Sequence, residues 1–452
     1  GDGAVQAILV LDEGTTSTRA MLFDAKGAIL QVAQEELTQH YPQSGWVEHD
    51  AAEIWDKTLS CARAVIANAG GPEGIAGVGI TNQRETIVAW DRQTGEPLSN
   101  AIVWQDRRTA DYCDSLREAG HEADIQRRTG LLLDPYFSGT KMRWLLKNCE
   151  AVKGAAERGT LAFGTIESWL TFKLSGGDHI SDASNASRTM LMELGGAQFD
   201  EGLCDLIGVP HPSLPQVVDN SGALSEVKAE WFGKALPITG LAGDQQSATI
   251  GQACLQRTYA IEGSVFVAGS LVQWMRDSLG LFAESRETEA LASSVNDTGG
   301  VTIVPALSGL GAPHWRADAR GVITGLSFAT GKAELARAAL EAMAHQTHDL
   351  AEAFKADGAA WDGLKIDGGM SANDWMAQDI ANVLNLTVER PDNVETTALG
   401  TAMLAAVGAG LHPDLISAAS AMRGDLSRFE PDMDDAVRKE RLARWKKALE
   451  AA

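Results

Sequence analysis

Two short apolar runs in separate halves of the chain each end in an acidic, glycine-containing turn, and this pairing constrains the fold more than any other feature of the sequence. The first run, Ala7 to Leu11, meets Asp12-Glu13-Gly14-Thr15-Thr16-Ser17-Thr18-Arg19 and then resumes as Ala20 to Phe23. The second, Leu364-Lys365-Ile366, meets Asp367-Gly368-Gly369, with Ser371 and Asn373 opening a helical pattern behind it. Short apolar runs bounded by turn residues read as strands, and glycine lets a backbone come close to a ligand. Two such corners predict two α/β lobes that share one phosphate-bearing ligand.

Other architectures fall away on composition and charge. The chain has 452 residues, 44% of them hydrophobic and 22% charged, with 46 Gly and 13 Pro, the balance of a folded protein rather than of disorder or collagen. That length allows two or three domains. No run approaches the ~18 apolar residues of a membrane span, and Gly1 to Gln6 lacks the basic and apolar regions of a secretory signal, so a cytoplasmic location is expected. A formal charge of −23 repels phosphodiester backbones and argues against nucleic-acid partners. Cys61, Cys113, Cys149, Cys204 and Cys254 are odd in number and form no C-x-x-C pair, which predicts reduced thiols.

Along the chain, AILVLD, RAMLFD and AILQVAQEEL predict three antiparallel strands. Ile54, Trp55, Leu59, Ala62, Val65 and Ile66 recur at helical spacing over residues 51–68, and the strand-like GIAGVGIT follows. Residues 106–173 read as mostly helical. Strand character returns near Pro237 and runs to Gly243-Asp244-Gln245-Gln246, so the lobe boundary is placed near Thr249, giving lobes 1–249 and 250–452. In the second, VTIVPALSG and LKIDGG read as strands, and residues 332–355, 374–384 and 434–451 as helices.

The Asp12 corner suits a polyphosphate. Backbone N–H groups and hydroxyls can donate to phosphoryl oxygens, and the carboxylate can hold Mg²⁺ through water. The same residues also make an ordinary hydrophilic hairpin turn. The Asp367 turn suits a nucleotide at a helix N-terminus, or equally an Asp-Gly turn with a Ser or Asn cap. Gln83-Arg84-Glu85-Thr86 sets a fork of donors beside a carboxylate, which suits vicinal hydroxyls or a surface ion pair. Trp104 and Tyr136 offer an apolar wall for a carbon skeleton, or core aromatics. Asp244, at a strand end, would accept the proton of an attacking hydroxyl. Gly325 to Lys332 is no Walker loop, because Ala333 stands where Ser or Thr belongs, and Gly77-Val78-Gly79 lacks the third glycine of a dinucleotide fingerprint. His345 and His348 have no third ligand at metal spacing and read as a surface helix face.

Taken in order, LDEGTTSTRAMLFD, GVGITNQRET, VWQDRRT, LAGDQQSATIGQ, EGSVFVAGSLVQW, SGLGAPHWRADARG, IDGGMSAND and ETTALGTA resemble the FGGY carbohydrate kinases over nearly the whole chain. QRET, VWQDRRT and GDQQ are similar to the glycerol kinases of that family rather than its sugar kinases. The resemblance implies an α/β fold of two actin-like, ribonuclease H-like lobes with a central active-site cleft, ATP-dependent phosphorylation of glycerol to sn-glycerol 3-phosphate, ATP and Mg²⁺ as cofactors, and a homodimer or homotetramer. It implies that Arg84, Glu85, Trp104, Tyr136, Asp244 and Gln245 surround glycerol, with Asp244 as general base. Asp12 would hold Mg²⁺, Thr15, Thr16, Ser17 and Arg19 would lie near the phosphates, and Gly269, Gln273, Gly369 and Asn373 would line the nucleotide.

Three departures from the family pattern qualify these implications. Glu13 stands where members carry Gln, and a charge there would oppose phosphate unless Glu13 points away or pairs with a cation. The run from Gly251 to Tyr259 lacks several dozen residues that members carry, including a second phosphate loop; either the deletion is real, which favours an inactive nucleotide-binding relative, or this sequence omits a mobile segment, the reading preferred because every flanking motif is intact. A kinase of another small polyol or ketose is a separate alternative. Finally, Trp231 to Pro237 lacks the Gly-rich loop and Arg of members inhibited by fructose 1,6-bisphosphate, which predicts weak or absent inhibition.

Overall fold

A computed structural model describes residues 6–254, 268–367, 369–393 and 395–452. The chain forms two compact units: residues 1–257 with 396–423, and residues 258–395 with 424–452. A single cut near Thr249 therefore differs from the division found, because the helix Thr396–Gly408 and its successor Leu415–Met422 return to the first unit.

Packing explains that return. Helix Thr396–Gly408 crosses helix Asp244–Gly251 so closely that a Cβ on Gly400 would lie 1.8 Å from the Ser247 carbonyl oxygen, and one on Gly251 2.0 Å from that of Thr396. Only glycine permits this approach. The ETTALGTA string is thus, in the fold, a small-residue helix crossing.

The first unit is built on a six-stranded sheet in the order Ser221–Val227, Leu236–Gly243, Ile75–Asn82, Ala7–Glu13, Ser17–Asp24, Ile29–Glu36. The three strands from Ala7 to Glu36 are antiparallel neighbours, as their sequence predicts, while Ala7–Glu13, Ile75–Asn82 and Leu236–Gly243 run parallel. Both faces are covered, so strand Ala7–Glu13 is apolar without alternation from Ala7 to Leu11 and turns polar only at its carboxyl end. Leu9, Leu11 and Leu22 face helix Ala51–Asn68, whose Asp50 cap accepts from the Ala52 and Glu53 amides; Ile8, Val10, Met21 and Phe23 face the two returning helices. Register then decides where the polar residues fall. Glu13 pairs with Asn82, and Asn82 with Gly243, so the carboxyl ends of the three parallel strands finish level with one another.

In the second unit, helices Ala268–Asp277, Glu287–Ser293 and Asp374–Leu384 pack on the long helix Lys332–Ala356 or on each other. Strands Leu364–Lys365, Val388–Pro391 and Leu426–Phe429 form one sheet, and Thr302–Val304 pairs with Val322–Thr324. Helix Asp435–Leu449 is fastened by Arg441, which donates to both Asp379 carboxylate oxygens at 2.6 and 2.9 Å and lies 3.3 Å from Glu341. His345 corrects the expectation of a surface histidine: it is buried against Trp445 and the Arg441 guanidinium, and burial holds its imidazole neutral. No helix among the described residues is long and apolar enough to cross a membrane.

Candidate functional site

Level strand ends put three polar corners of the first unit side by side: Asp12 to Arg19, Gln83 to Thr86, and Gly243 to Gln246. At carboxyl ends of parallel strands the backbone turns away and leaves room for a ligand, the usual place for a site in an α/β sheet.

At the first corner Asp12 sits across from Arg19 in the hairpin register, and their side chains form an ion pair. Gly14 N donates to Ser17 O at 3.0 Å and closes the turn, which leaves Thr15 and Thr16 half-exposed. Glu13 points the other way, into the core. It is fully buried and accepts hydrogen bonds from Thr18 Oγ1 at 3.0 Å and Thr58 Oγ1 at 2.6 Å. Burial, helped by Asp12 and opposed by the two threonines, raises its carboxyl to about 8. At neutral pH it is mostly a neutral group of nearly the shape of glutamine, so the charge conflict anticipated beside phosphate is absent.

The second corner is denser. Arg84 is buried; its Nε lies 3.6 Å from Asp244 Oδ1, and its terminal nitrogens reach Glu85 Oε1 at 3.8 Å, Gln246 Oε1 at 3.3 Å and the Tyr136 hydroxyl at 3.5 Å. Glu85 adopts φ 62, a left-handed conformation costly for a residue with a side chain. It is held there by Ser138 Oγ, which donates to its carbonyl at 3.2 Å, and by Arg188 Nε, which donates to its carboxylate at 2.6 Å. Trp104 stands edge-on to Tyr136 with ring centroids 5.8 Å apart, and its indole N–H donates to Thr15 Oγ1 at 2.9 Å. That bond joins the aromatic wall to the hydroxyl turn and occupies a lone pair of Thr15, which leaves the Thr15 hydrogen to donate elsewhere.

Asp244 opens helix Asp244–Gly251 directly after the strand. Its side chain is 40% exposed. Surrounding protein nevertheless raises its carboxyl to about 7 by desolvation, with Arg84 opposing and Glu85 and Asp12 reinforcing the rise; water at the exposed tip tempers the effect. The backbone is fixed from behind, since Gly243 N donates to Ser184 Oγ at 2.8 Å. Gly243 cannot carry a side chain, because a Cβ there would lie 2.5 Å from Arg84 Cδ. Gln245, expected at the polyol, is exposed in the first turn of this helix, and its neighbour Gln246 accepts from Arg84.

The residues expected at the nucleotide lie in the second unit. Gly269 and Gln273 belong to helix Ala268–Asp277, where Gln273 is buried. Gly369 begins the short turn Gly369–Ala372, and Asn373 caps helix Asp374–Leu384, its Oδ1 accepting from Met376 N at 2.9 Å. Arg390 donates to Ser371 O at 2.8 Å and secures the turn. The two helices meet the long helix Lys332–Ala356. The short connection after Cys254 lies outside the described residues.

Arg188 and Ser184 were not singled out in the sequence, and Gly243 and Gln246 were named only as parts of the Gly243–Gln246 string, with no role of their own. Gln246 stood inside a string already singled out; Arg188 lies in SNASRTM, where a cation among hydroxyls was the available signal. For a divalent cation the donor set is modest. Among the described residues no three His, Cys, Asp or Glu side chains form a cage. The buried Asp12 carboxylate, close enough for its charge to act on Asp244, fits an ion that takes most of its oxygens from phosphate and water.

Two family models match overlapping parts of the chain, and the second of them takes in the helix Thr396–Gly408 that returns to the first unit. Residues 7–251 match the N-terminal domain model of the FGGY family of carbohydrate kinases, and residues 236–409 the C-terminal one. A glycerol kinase of Dechloromonas aromatica is 48% identical, with 99% of this chain and 98% of that protein covered, and one of Cereibacter sphaeroides is 47% identical, with 98% and 99% covered. The first alignment spans 492 positions against the 452 residues here, so at least 40 positions (492 less 452) have no residue in this chain. Among solved structures, the Plasmodium falciparum glycerol kinase with ADP superposes with a TM-score of 0.78 at 32% identity, covering 100% of this chain and 99% of that one. A gluconate kinase from Lactobacillus acidophilus shares the fold, with a TM-score of 0.76 at 21% identity.

Proposed function

We propose, from the premise that this chain belongs to the FGGY family of carbohydrate kinases, that it transfers the γ-phosphoryl group of ATP to glycerol and makes sn-glycerol 3-phosphate. One observation carries the reading: the sheet register brings Asp12, the Arg84–Glu85 pair and Asp244 to one edge, with the Trp104–Tyr136 wall joined to the same edge. Donors and acceptors for vicinal hydroxyls, an apolar face for a three-carbon chain, a base and a hydroxyl-lined phosphate turn are thereby assembled from residues that already hold one another. The relatives of highest identity quoted above, and the ADP-bound neighbour, carry the name of the same activity.

On this reading Arg84 donates to, and Glu85 accepts from, the hydroxyls of glycerol, while Trp104 and Tyr136 cover its carbons. Asp244, poised near neutrality, takes the proton of the attacking hydroxyl as its oxygen bonds to the γ-phosphorus and the bond to the ADP oxygen breaks. Thr15, Thr16, Ser17 and Arg19 donate to phosphoryl oxygens. Asp12 would hold Mg²⁺, which supplies charge neutralisation on the phosphates. Gly269, Gln273, Gly369 and Asn373 are assigned to the adenine nucleotide. Alignment and charge neutralisation are most of what phosphoryl transfer requires. The same reading has the protein act in the cytoplasm as a homodimer or homotetramer, which sedimentation would test.

A second reading rests on the 40 or more positions absent relative to the Dechloromonas protein. A member that has lost a phosphate-contacting segment would bind nucleotide without turnover. The test of both is ATP-dependent phosphorylation of glycerol beside dihydroxyacetone, erythritol and xylulose. Turnover of glycerol alone supports the first reading. Turnover of another substrate instead moves the assignment within the family, and nucleotide binding with no turnover supports the second.

A further inference from the structure

The residue that the chemistry above leaves unused is Lys141, a lysine with no solvent exposure at all. It stands in the first turn of helix Ser138–Asn148, where the helix dipole disfavours a cation. Its Nζ lies 2.6 Å from the carbonyl oxygen of Pro135, 2.5 Å from that of Tyr136 and 3.2 Å from that of Phe137. An ammonium has three N–H donors and no acceptor, so three converging carbonyls satisfy it completely, whereas a neutral amine would turn its lone pair toward one of them. Burial pushes the Lys141 amine down to about 7; Glu85, Asp106 and Asp134 favour the ammonium against that fall, Arg107 adds to it, and the thiol of Cys113 lies within electrostatic reach.

We infer that Lys141 is a positioning residue for the polyol: by gathering the carbonyls of Pro135, Tyr136 and Phe137 it sets the backbone from which Tyr136 reaches Arg84 and stands against Trp104. The inference rests on the glycerol reading above. The same helix turn places Ser138 on the Glu85 carbonyl, so one turn fixes both sides of the substrate corner. Asp134 braces the segment from its other end, accepting from Tyr136 N at 2.8 Å and from Arg107 at 2.9 Å. If Lys141 only filled the core, its loss would lower stability without regard to substrate.

Lys141→Met keeps the apolar stem and removes the N–H groups, and Lys141→Arg keeps the charge but presents a planar fork that cannot meet three converging carbonyls. Both variants are expected to raise the glycerol KM by about 10-fold or more while the ATP KM stays within about 2-fold, since the residue displaced, Tyr136, faces Arg84 and Trp104 on the polyol side, and the Trp104 bond to Thr15 is kept. Hydrogen exchange of residues 131–141, measured without any substrate, is expected to quicken in both. A lowered melting temperature with an unchanged glycerol KM and unchanged exchange over 131–141 would overturn the inference. So would wild-type behaviour of Lys141→Arg, because charge alone would then suffice. If the wild-type chain phosphorylates no polyol, the functional reading fails, and the exchange experiment still decides whether Lys141 sets the 135–137 backbone.

Discussion

The corner at Asp12, Arg84 and Asp244 and the turn at Gly369 to Asn373 were matched in the sequence as two acidic, glycine-containing turns, yet they are built differently. In the first, side chains hold side chains: Arg19 pairs with Asp12, Arg188 with Glu85, Arg84 with Asp244, and Trp104 with Thr15. In the second, most of the bonds go to backbone: Asn373 caps a helix, Glu289 accepts from the Asp374 amide and Arg390 secures the Ser371 carbonyl, with one ion pair between side chains, Arg390 to Asp374 at 2.8 Å. A site made of paired side chains keeps its geometry and loses specific functions when one partner is removed. A turn made of caps and backbone donors tolerates change in side chains and depends on its fold.

The largest expected effect tests the first kind of site. Asp244→Asn removes the base and keeps the shape, so kcat is expected to fall about 10²- to 10⁴-fold with glycerol affinity largely kept; calorimetry beside turnover checks this, and wild-type kcat would reject the role. The pH profile should agree. Because the carboxyl is raised to about 7 and must be ionised to accept a proton, kcat should climb as pH rises through that value and level off above it.

Arg188→Met comes next, since it frees the Glu85 carboxylate from its 2.6 Å partner. A glycerol KM raised about 10-fold with little change for ATP is expected, and equal losses for both substrates would mean that Arg188 supports the fold and not the corner. Asn373→Ala sharpens the contrast with the cap-built turn: loss of an N-cap costs about 1 kcal/mol of stability, and if the turn works through its backbone the ATP KM should move less than the glycerol KM does in Arg188→Met.

A smaller effect is expected at Glu13. Its carboxyl lies at about 8 in the folded chain against the ordinary 4.5, so between those values the folded protein keeps a proton that the unfolded chain has released. Stability from this group is therefore complete below 4.5 and is lost as pH rises through 8. Glu13→Gln should be more stable than the parent by a margin that grows across that window, with the ATP KM near neutrality within about 2-fold, because neither side chain carries charge to the phosphates. A pH-independent difference in melting temperature would contradict this account.

The smallest expected effect is none. Fructose 1,6-bisphosphate should leave turnover unchanged, since the segment Trp231 to Pro237 carries no Arg and Trp231 packs edge-on against Trp55 at 5.0 Å. A guanidinium is close by after all, in Arg63, but it donates to the Trp231 carbonyl at 3.1 Å. Inhibition by the bisphosphate would show that Arg63 can leave that bond.

Much of this was legible because period and punctuation act locally. Residues 51–68 announced a helix by apolar spacing, and Asp374–Leu384 by its own pattern behind Ser371 and Asn373. Asp244 was legible as a strand-end carboxylate. Long-range facts were not. The crossing at Gly400 and Gly251 gives no periodic signal and carries residues 396–423 back to the first unit, so a division by position misses it. Burial of His345 depends on Trp445 and Arg441, about 100 residues away in sequence. Lys141 looked like any helical lysine until the three carbonyls that surround it were placed.

The central claim is that this chain, as it stands, is a catalyst and not only a nucleotide-binding fold. The direct test is phosphorylation of glycerol by the 452-residue chain, expressed as such and checked by intact mass at 48.0 kDa, with Mg²⁺ present and with Mg²⁺ removed. Magnesium-dependent turnover is predicted, with ADP and sn-glycerol 3-phosphate formed one for one and no other glycerol phosphate. A folded chain of that mass that binds ADP and glycerol but turns over neither glycerol nor any other polyol would contradict it, and would make the missing positions a loss of function.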